Sequence, residues 1–213
     1  VIAHRASEIL GGTKEKYDLV HPNDHVNCSQ STNDVFPSAG KLTVLELMPQ
    51  LISNLSYLER LLEQKAIEFS DVIKMGRTQL QDAVPTTLGH SFKAYQSVVH
   101  RDIKHLIAIT DEMYTLNIGA TAIAHGINAS VEYSSTIAEN LARELQLPLK
   151  QADNLYDATQ NVDSFVRVSG VIKTAAISLS KMSNDLRLLS SGPKTGFGEI
   201  NLPAKQNGSS IMP

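Results

Sequence analysis

Three short stretches carry hydroxyl and amide groups that could do chemistry. They are Gln30-Ser31-Thr32-Asn33-Asp34, Gly76-Arg77-Thr78-Gln79-Leu80-Gln81-Asp82 and Asn207-Gly208-Ser209-Ser210-Ile211-Met212-Pro213. In the last, a glycine beside two serines, then an apolar pair and a proline, makes neither a helix interior nor a good strand. It reads as a loop presenting two hydroxyls. The first two stretches stand just before long helical segments, where unsatisfied N–H groups and the helix dipole favour an anion. Three such loops on a helical scaffold predict one composite site for a small anion such as a carboxylate.

Blander readings exist for each stretch. Capping by Ser, Thr, Asn or Asp explains one residue before a helix, not four in a row. Asp82 could cap the second long helix, and Arg77 could pair with a carboxylate. A Gly/Ser-rich tail alone is a linker. The seven histidines show no metal-binding spacing, and one cysteine cannot build a zinc cage. His21 and His25 are four apart but lie in a predicted loop, and His125 either lines a cavity or is solvated. Gly192-x-x-x-Gly196-x-Gly198 follows no predicted strand, so it is neither a phosphate loop nor a dinucleotide fingerprint.

The elements that must position these loops are helical. Residues 13 to 37 are expected to be loop-like, with His21-Pro22-Asn23-Asp24 a turn. Leu42, Leu45, Met48, Ile52, Leu55, Leu58, Leu62, Ala66 and Phe69 then recur at steps of three and four, a helical stripe. Pro37 suits its first turn, and Pro49 should kink it. A second stripe runs from Leu88 through Leu116 and closes at Gly119, with Pro85 near its start. A shorter one covers Val131 to Leu147, and the last runs from Val162 to Leu189 before Gly192-Pro193. No strand alternation and no internal repeat is visible. Three helices of about 30 residues, each ~45 Å long, exceed what a small globule needs. The expected fold is an all-α long-helix bundle covered lengthwise by other subunits. Residues 1–37 read as the end of a preceding region with the first polar loop, and 38–213 as a central helical domain. Because Val1 to Leu10 reads as the last turns of a helix and Pro213 falls in mid-loop, an internal piece of a longer polypeptide is expected.

The chain has 213 residues and a formal charge of −3, which gives no basic footprint for nucleic acid or anionic membranes. No apolar run approaches the ~18 residues of a membrane span. The lone Cys28 excludes an internal disulfide framework and fits a reducing cytoplasm.

The three polar stretches, with Asn117-Ile118-Gly119-Ala120-Thr121-Ala122-Ile123 and Asn184-Asp185-Leu186-Arg187-Leu188-Leu189-Ser190-Ser191-Gly192-Pro193, resemble the signature regions of the aspartase/fumarase superfamily, in order and over the whole chain. Gln79, Asp82-Ala83-Val84-Pro85 and Leu188-Leu189-Ser190-Ser191 resemble the aspartate ammonia-lyases more than the fumarases. His21-Pro22-Asn23-Asp24 resembles a secondary dicarboxylate site of fumarases. The resemblance implies the central helical domain of a homotetramer whose active sites are each shared by three subunits. It implies reversible elimination of ammonia from L-aspartate to give fumarate, by anti-elimination through an aci-carboxylate with no organic cofactor. Divalent-metal activation is left open.

In that reading Ser209 resembles the general base, and Ser31, Thr32 and Ser210 the donors to the carboxylate that gains charge. Asn33 stands near the amino group, Thr78 holds the other carboxylate and Gln79 lies near the departing ammonia. Four departures accompany the match. A Thr-bearing region before Val1 and a Lys and Asn after Pro213 lie outside the sequence, His125 replaces a usual threonine, and His90 a usual glutamine. A fumarate hydratase and a catalytically silent helical scaffold are the alternatives.

Overall fold

The computed structural model of the chain describes residues 1–13, 16–192 and 194–205. Ser209 and Ser210, and with them the third polar stretch, lie outside the described residues. The elements run α1 (Ile2–Ile9), a π-helical turn (Pro22–Val26), α2 (Thr32–Glu68), β1 (Ile73–Thr78), β2 (Gln81–Thr87), α3 (Leu88–Thr110), a 3₁₀ turn (Asp111–Tyr114), β3 (Thr115–Leu116), α4 (Val131–Leu145), β4 (Lys150–Gln151), α5 (Leu155–Gln160) and α6 (Asp163–Leu189). Two compact units result. One is Val1–Gln50 with Ile107–Ser169, the other Leu51–Leu106 with the chain from Gly170 on.

The first unit contains the start of α2. Helix α1 ends as its glycines predict: Gly11 is left-handed at φ +82°, and Gly11 and Gly12 return their N–H groups to the Glu8 and Ser7 carbonyls at 3.0 and 2.8 Å, a Schellman closure. The turn expected at His21–Asp24 is one π-helical turn, capped by His21 Nδ1, which accepts from the N–H groups of Asn23 and Asp24. Helix α2 begins at Thr32, five residues before Pro37, because a side-chain cap at Ser31 starts it earlier than proline does. Leu45, Met48, Ile109, Met113, Leu116 and Val168 form much of this unit's core. β3 and β4 pair in parallel, Thr115 opposite Lys150 and Leu116 opposite Gln151.

The second stripe is buried throughout, from Leu88 to Leu116, except for half-buried Phe92, but it is not one helix. Helix α3 stops at Thr110 and the stripe continues through the 3₁₀ turn into β3. An apolar spacing of three, Met113 to Leu116, fits a helix and a 3₁₀ turn equally.

In the second unit Leu55, Leu62, Ala66, Val99, Ile103, Ala175 and Met182 are buried. Glu59 accepts from Gln96 Nε2 at 2.8 Å and meets His100 Nδ1 at 2.8 Å, fixing α2 against α3. Gly89 is needed where α3 starts, since a Cβ there would meet the Ala66 carbonyl at 2.5 Å and the Phe69 carbonyl at 2.9 Å.

The all-α, long-helix expectation holds as a mostly helical fold, and the two short strand pairs are a correction to it. β1 and β2 form an antiparallel hairpin, Ile73 opposite Thr87 through Thr78 opposite Gln81, where a loop was expected. The hairpin buries neither face fully, so its sequence has no apolar alternation to reveal it. Asp82 therefore lies in β2 and caps nothing. The cap of α3 is Thr87, whose Oγ1 accepts from the His90 N–H at 3.3 Å.

Candidate active site

The first polar stretch folds into the start of α2. Ser31 and Asp34 cap it reciprocally: Asn33 N–H donates to Ser31 Oγ at 3.2 Å, and Ser31 N–H to Asp34 Oδ1 at 3.0 Å. Capping thus accounts for Ser31 and Asp34 and leaves Thr32 and Asn33 exposed beside them. Ser31 Oγ accepts from a backbone amide, which leaves a hydroxyl its capacity to donate.

The surrounding loop is held by this segment. Asp34 is fully buried, at 0% exposure, and its Oδ2 accepts from the N–H groups of Gly119 at 3.1 Å and Thr121 at 2.9 Å. Asn33 Nδ2 donates to the Ala122 carbonyl at 2.7 Å. That bond fixes the amide's orientation and leaves Oδ1 as an acceptor. Asn117 donates through Nδ2 to the Asn33 carbonyl at 2.9 Å and to Thr159 Oγ1 at 3.2 Å. Gln151 Nε2 donates to the Ile118 and Ser134 carbonyls at 2.7 and 2.8 Å.

The loop bends sharply, with positive φ at Gly119 (+88°), Thr121 (+58°), Ala124 (+69°), Gly126 (+72°) and Asn128 (+65°). Glycine is required at 119, where a Cβ would also meet Gln151 Nε2 and the Ser134 carbonyl at 2.9 Å each. A β-branched residue such as Thr121 adopts this conformation only when its surroundings impose it. Here the bond to Asp34 does so. His125, further along, lines a cavity of about 280 Å³ with Ser134, Ser135 and Gln151, and is itself exposed.

The second polar stretch is the hairpin tip in the other unit. Thr78 ends β1, and Gln79 and Leu80 form a two-residue turn with φ of +51° and +63°. Left-handed φ at both positions matches the twist of a tight hairpin but costs roughly 1–2 kcal/mol for each non-glycine residue. Thr78 and Gln79 are exposed. Behind them Arg77 NH1 meets Glu199 Oε1 at 2.6 Å, its Nε meets Asp82 at 3.3 Å, and its guanidinium lies 4.1 Å from the Phe197 ring centroid. Lys74 Nζ reaches the other Glu199 oxygen at 3.2 Å. Arg77 is thus a structural anchor, as its blander reading held.

Ser31, Thr32 and Asn33 are brought together in one unit, and Thr78 and Gln79 in the other. Asp34, Asn117 and Thr121 were not singled out from the sequence. Asp34 three residues after Ser31 was the available signal, since that spacing is a capping pattern. Among the described residues no group of three or more His, Cys, Asp or Glu could hold a metal ion. No described helix is long and apolar enough to cross a membrane.

Comparison with known proteins identifies the family of the chain. A family model described as "Lyase" matches residues 1–213, and the chain belongs to that family. It is 51% identical over 213 residues to an aspartate ammonia-lyase of a Bacillus species and 51% identical to that of Helicobacter pylori, covering all of this chain and 46% of each relative. A crystal structure of fumarate lyase:delta crystallin from Brucella melitensis, bound to cobalt, superposes with a TM-score of 0.95 at 47% identity, over all of this chain and 46% of that one. A class II fumarase from Schistosoma mansoni gives 0.87 at 36%, over all of this chain and 48% of that one. The chain spans about half the length of the relatives it matches. The resemblance to the aspartase/fumarase superfamily is borne out.

Proposed function

We propose that the complete protein is an aspartate ammonia-lyase, converting L-aspartate reversibly to fumarate and ammonia. The observation that carries this reading is the fixed set of polar groups at the start of α2: a Ser31 hydroxyl held by the Asn33 N–H, an exposed Thr32 and an Asn33 amide locked to the Ala122 carbonyl. Identities near 50% to aspartate ammonia-lyases support the choice of substrate.

Loss of the Cβ proton places a second negative charge on the neighbouring carboxylate, and preorganised donors stabilise it by several kcal/mol. Ser31, Thr32 and Ser210 are those donors. Asn33 Oδ1, the atom left free by the bond to Ala122, is an acceptor suited to the substrate's ammonium group. Thr78 holds the other carboxylate, and Gln79 lies by the departing ammonia. Ser209 takes the Cβ proton, the C–N bonding pair leaves with nitrogen, and the double bond of fumarate forms. These residues carry the elimination without an organic cofactor, and the substrate is a small molecule rather than nucleic acid or membrane.

Exposed apolar residues along α2 and α6, among them Phe36 at 75%, Tyr57 at 57%, Val166 at 66% and Ile177 at 59%, support a homotetramer with active sites shared by three subunits. The exposed thiol of Cys28 suits a reducing cytoplasm. Hydration of fumarate to malate is the second reading, favoured by the likeness to the class II fumarase. The two separate in one assay of the complete protein, following the ultraviolet absorbance of fumarate. L-aspartate should generate it and L-malate should not; fumarate from malate alone would overturn the proposal.

A further inference from the structure

Asp34 stands out in the first unit because it does more than cap α2: its second oxygen holds a loop far along the chain. It is wholly buried, and among the described residues its donors are three backbone N–H groups: Ser31 on Oδ1, Gly119 and Thr121 on Oδ2. A buried carboxylate is expensive unless each oxygen is hydrogen-bonded. Both oxygens act as acceptors here, Oδ1 once and Oδ2 twice. Asparagine has one acceptor oxygen and would turn its NH₂ group against either the Ser31 N–H or the Gly119 and Thr121 pair. Each donor so orphaned costs about 1–3 kcal/mol.

We infer that Asp34 is a positioning residue for substrate: it clamps Ser31-Thr32-Asn33 to the Gly119–Ala122 segment, in which Gly119 and Thr121 are left-handed, so that the donors are already in place when charge develops. Two details support more than a folding role. The clamp grips the residues immediately on either side of Thr32, through the Ser31 amide and through Asn33, whose side chain reaches the same loop at Ala122. It also holds Thr121 at φ +58°, a conformation a threonine does not keep unaided. Loop and helix start therefore move as one body. Displacement of the loop by an ångström would carry the Ser31 and Asn33 groups with it, and such misplacement costs roughly 10²-fold in rate.

The inference rests on the proposed function, and the test separates the two. Asp34→Asn and Asp34→Glu are made in the complete protein, and kcat and KM for L-aspartate are compared with wild type. Asp34→Glu keeps the charge but lengthens the side chain, so it shifts the clamp without orphaning a charge. The expected result, in either variant that assembles, is a loss of kcat/KM of roughly 10²-fold that includes a raised KM. Adding Ser31→Ala should then cost far less than it does in wild type. A purely structural role would lower the folded fraction and leave KM, and the cost of Ser31→Ala, unchanged; that outcome overturns the inference. If neither variant assembles, hydrogen exchange on wild type decides, with fumarate as the ligand. Protection should rise together in segments 31–35 and 117–122, and a rise confined to 31–35 contradicts the clamp. Wild type inert toward aspartate would instead overturn the proposed function, and Asp34 would then be judged from whether exchange in the two segments changes together in the variants.

Discussion

The carbonyl oxygen of Asn33 accepts a hydrogen bond of 2.9 Å from Nδ2 of Asn117. Pro37 stands four residues after Asn33 inside α2 and has no N–H to give it. The helix thus leaves one acceptor open beside the candidate site, and a buried asparagine, 3% exposed, fills it. Asn117→Ala should destabilise the protein by about 1–3 kcal/mol by orphaning that carbonyl. Pro37→Ala restores a helical donor, so Asn117→Ala should cost less in that background. Thermal unfolding of the two single variants and the double variant measures the coupling, and strictly additive effects would break the link.

The hairpin tip carries conformational strain that substitution can read. Leu80 is exposed and sits at φ +63°. Leu80→Gly relieves roughly 1–2 kcal/mol of strain but gives back roughly 0.5–1 kcal/mol in unfolded-chain entropy. The variant should be as stable as wild type or slightly more so. Leu80→Val places a β-branched residue there and should be the least stable of the three. Chemical denaturation midpoints give the order Gly, Leu, Val; any other order contradicts the strain.

Glu199 is the shared partner of Arg77 and Lys74, with side chains exposed by only 15, 19 and 11% respectively. Glu199→Gln leaves both cations with a neutral neighbour, and Asp82 offsets this only for Arg77. A loss of roughly 3 kcal/mol is expected, because removing one partner of a buried ion pair strands the other. A melting point equal to wild type would show the pairs to be idle.

Alkaline pH probes the second unit through Tyr95, whose hydroxyl donates to Asp185 at 3.1 Å. Burial pushes the phenol's pKa well above its ordinary value near 10, and the charge of Asp185 and the hydrogen bond to it push the same way. The folded state therefore holds the proton more tightly than the unfolded state. The resulting stability is complete below pH ~10 and is lost as pH rises beyond it. Lys41, lowered by burial against the opposing pull of Asp163 and Glu112, runs in the opposite sense, with stability gained as pH rises past the folded value. Comparing Tyr95→Phe with wild type isolates the tyrosine: the variant should lose less stability between pH 9 and 11, a window chosen around that ordinary pKa. Equal slopes would contradict the assignment.

How much was legible in the sequence differs by element. The stripes were plain, because Leu45, Leu62, Val99 and Leu106 are buried on a helical period. The hairpin was not, since Gln79-Leu80 lacks the glycine or asparagine that announces a left-handed turn and neither strand has a wholly buried face. Ser31, Thr32 and Asn33 could be read from residue type. Asp34 could not be separated from an ordinary cap, because its second oxygen is used by amides 85 and 87 residues away. Such long-range pairing leaves no local pattern.

The most direct test is a crystal structure of the complete protein with fumarate bound. A carboxylate within hydrogen-bonding distance of the Ser31 hydroxyl, in a pocket that also holds Asn33 and the Thr78 of another subunit, is the predicted result. Fumarate bound away from all three, with the start of α2 empty, would contradict the account.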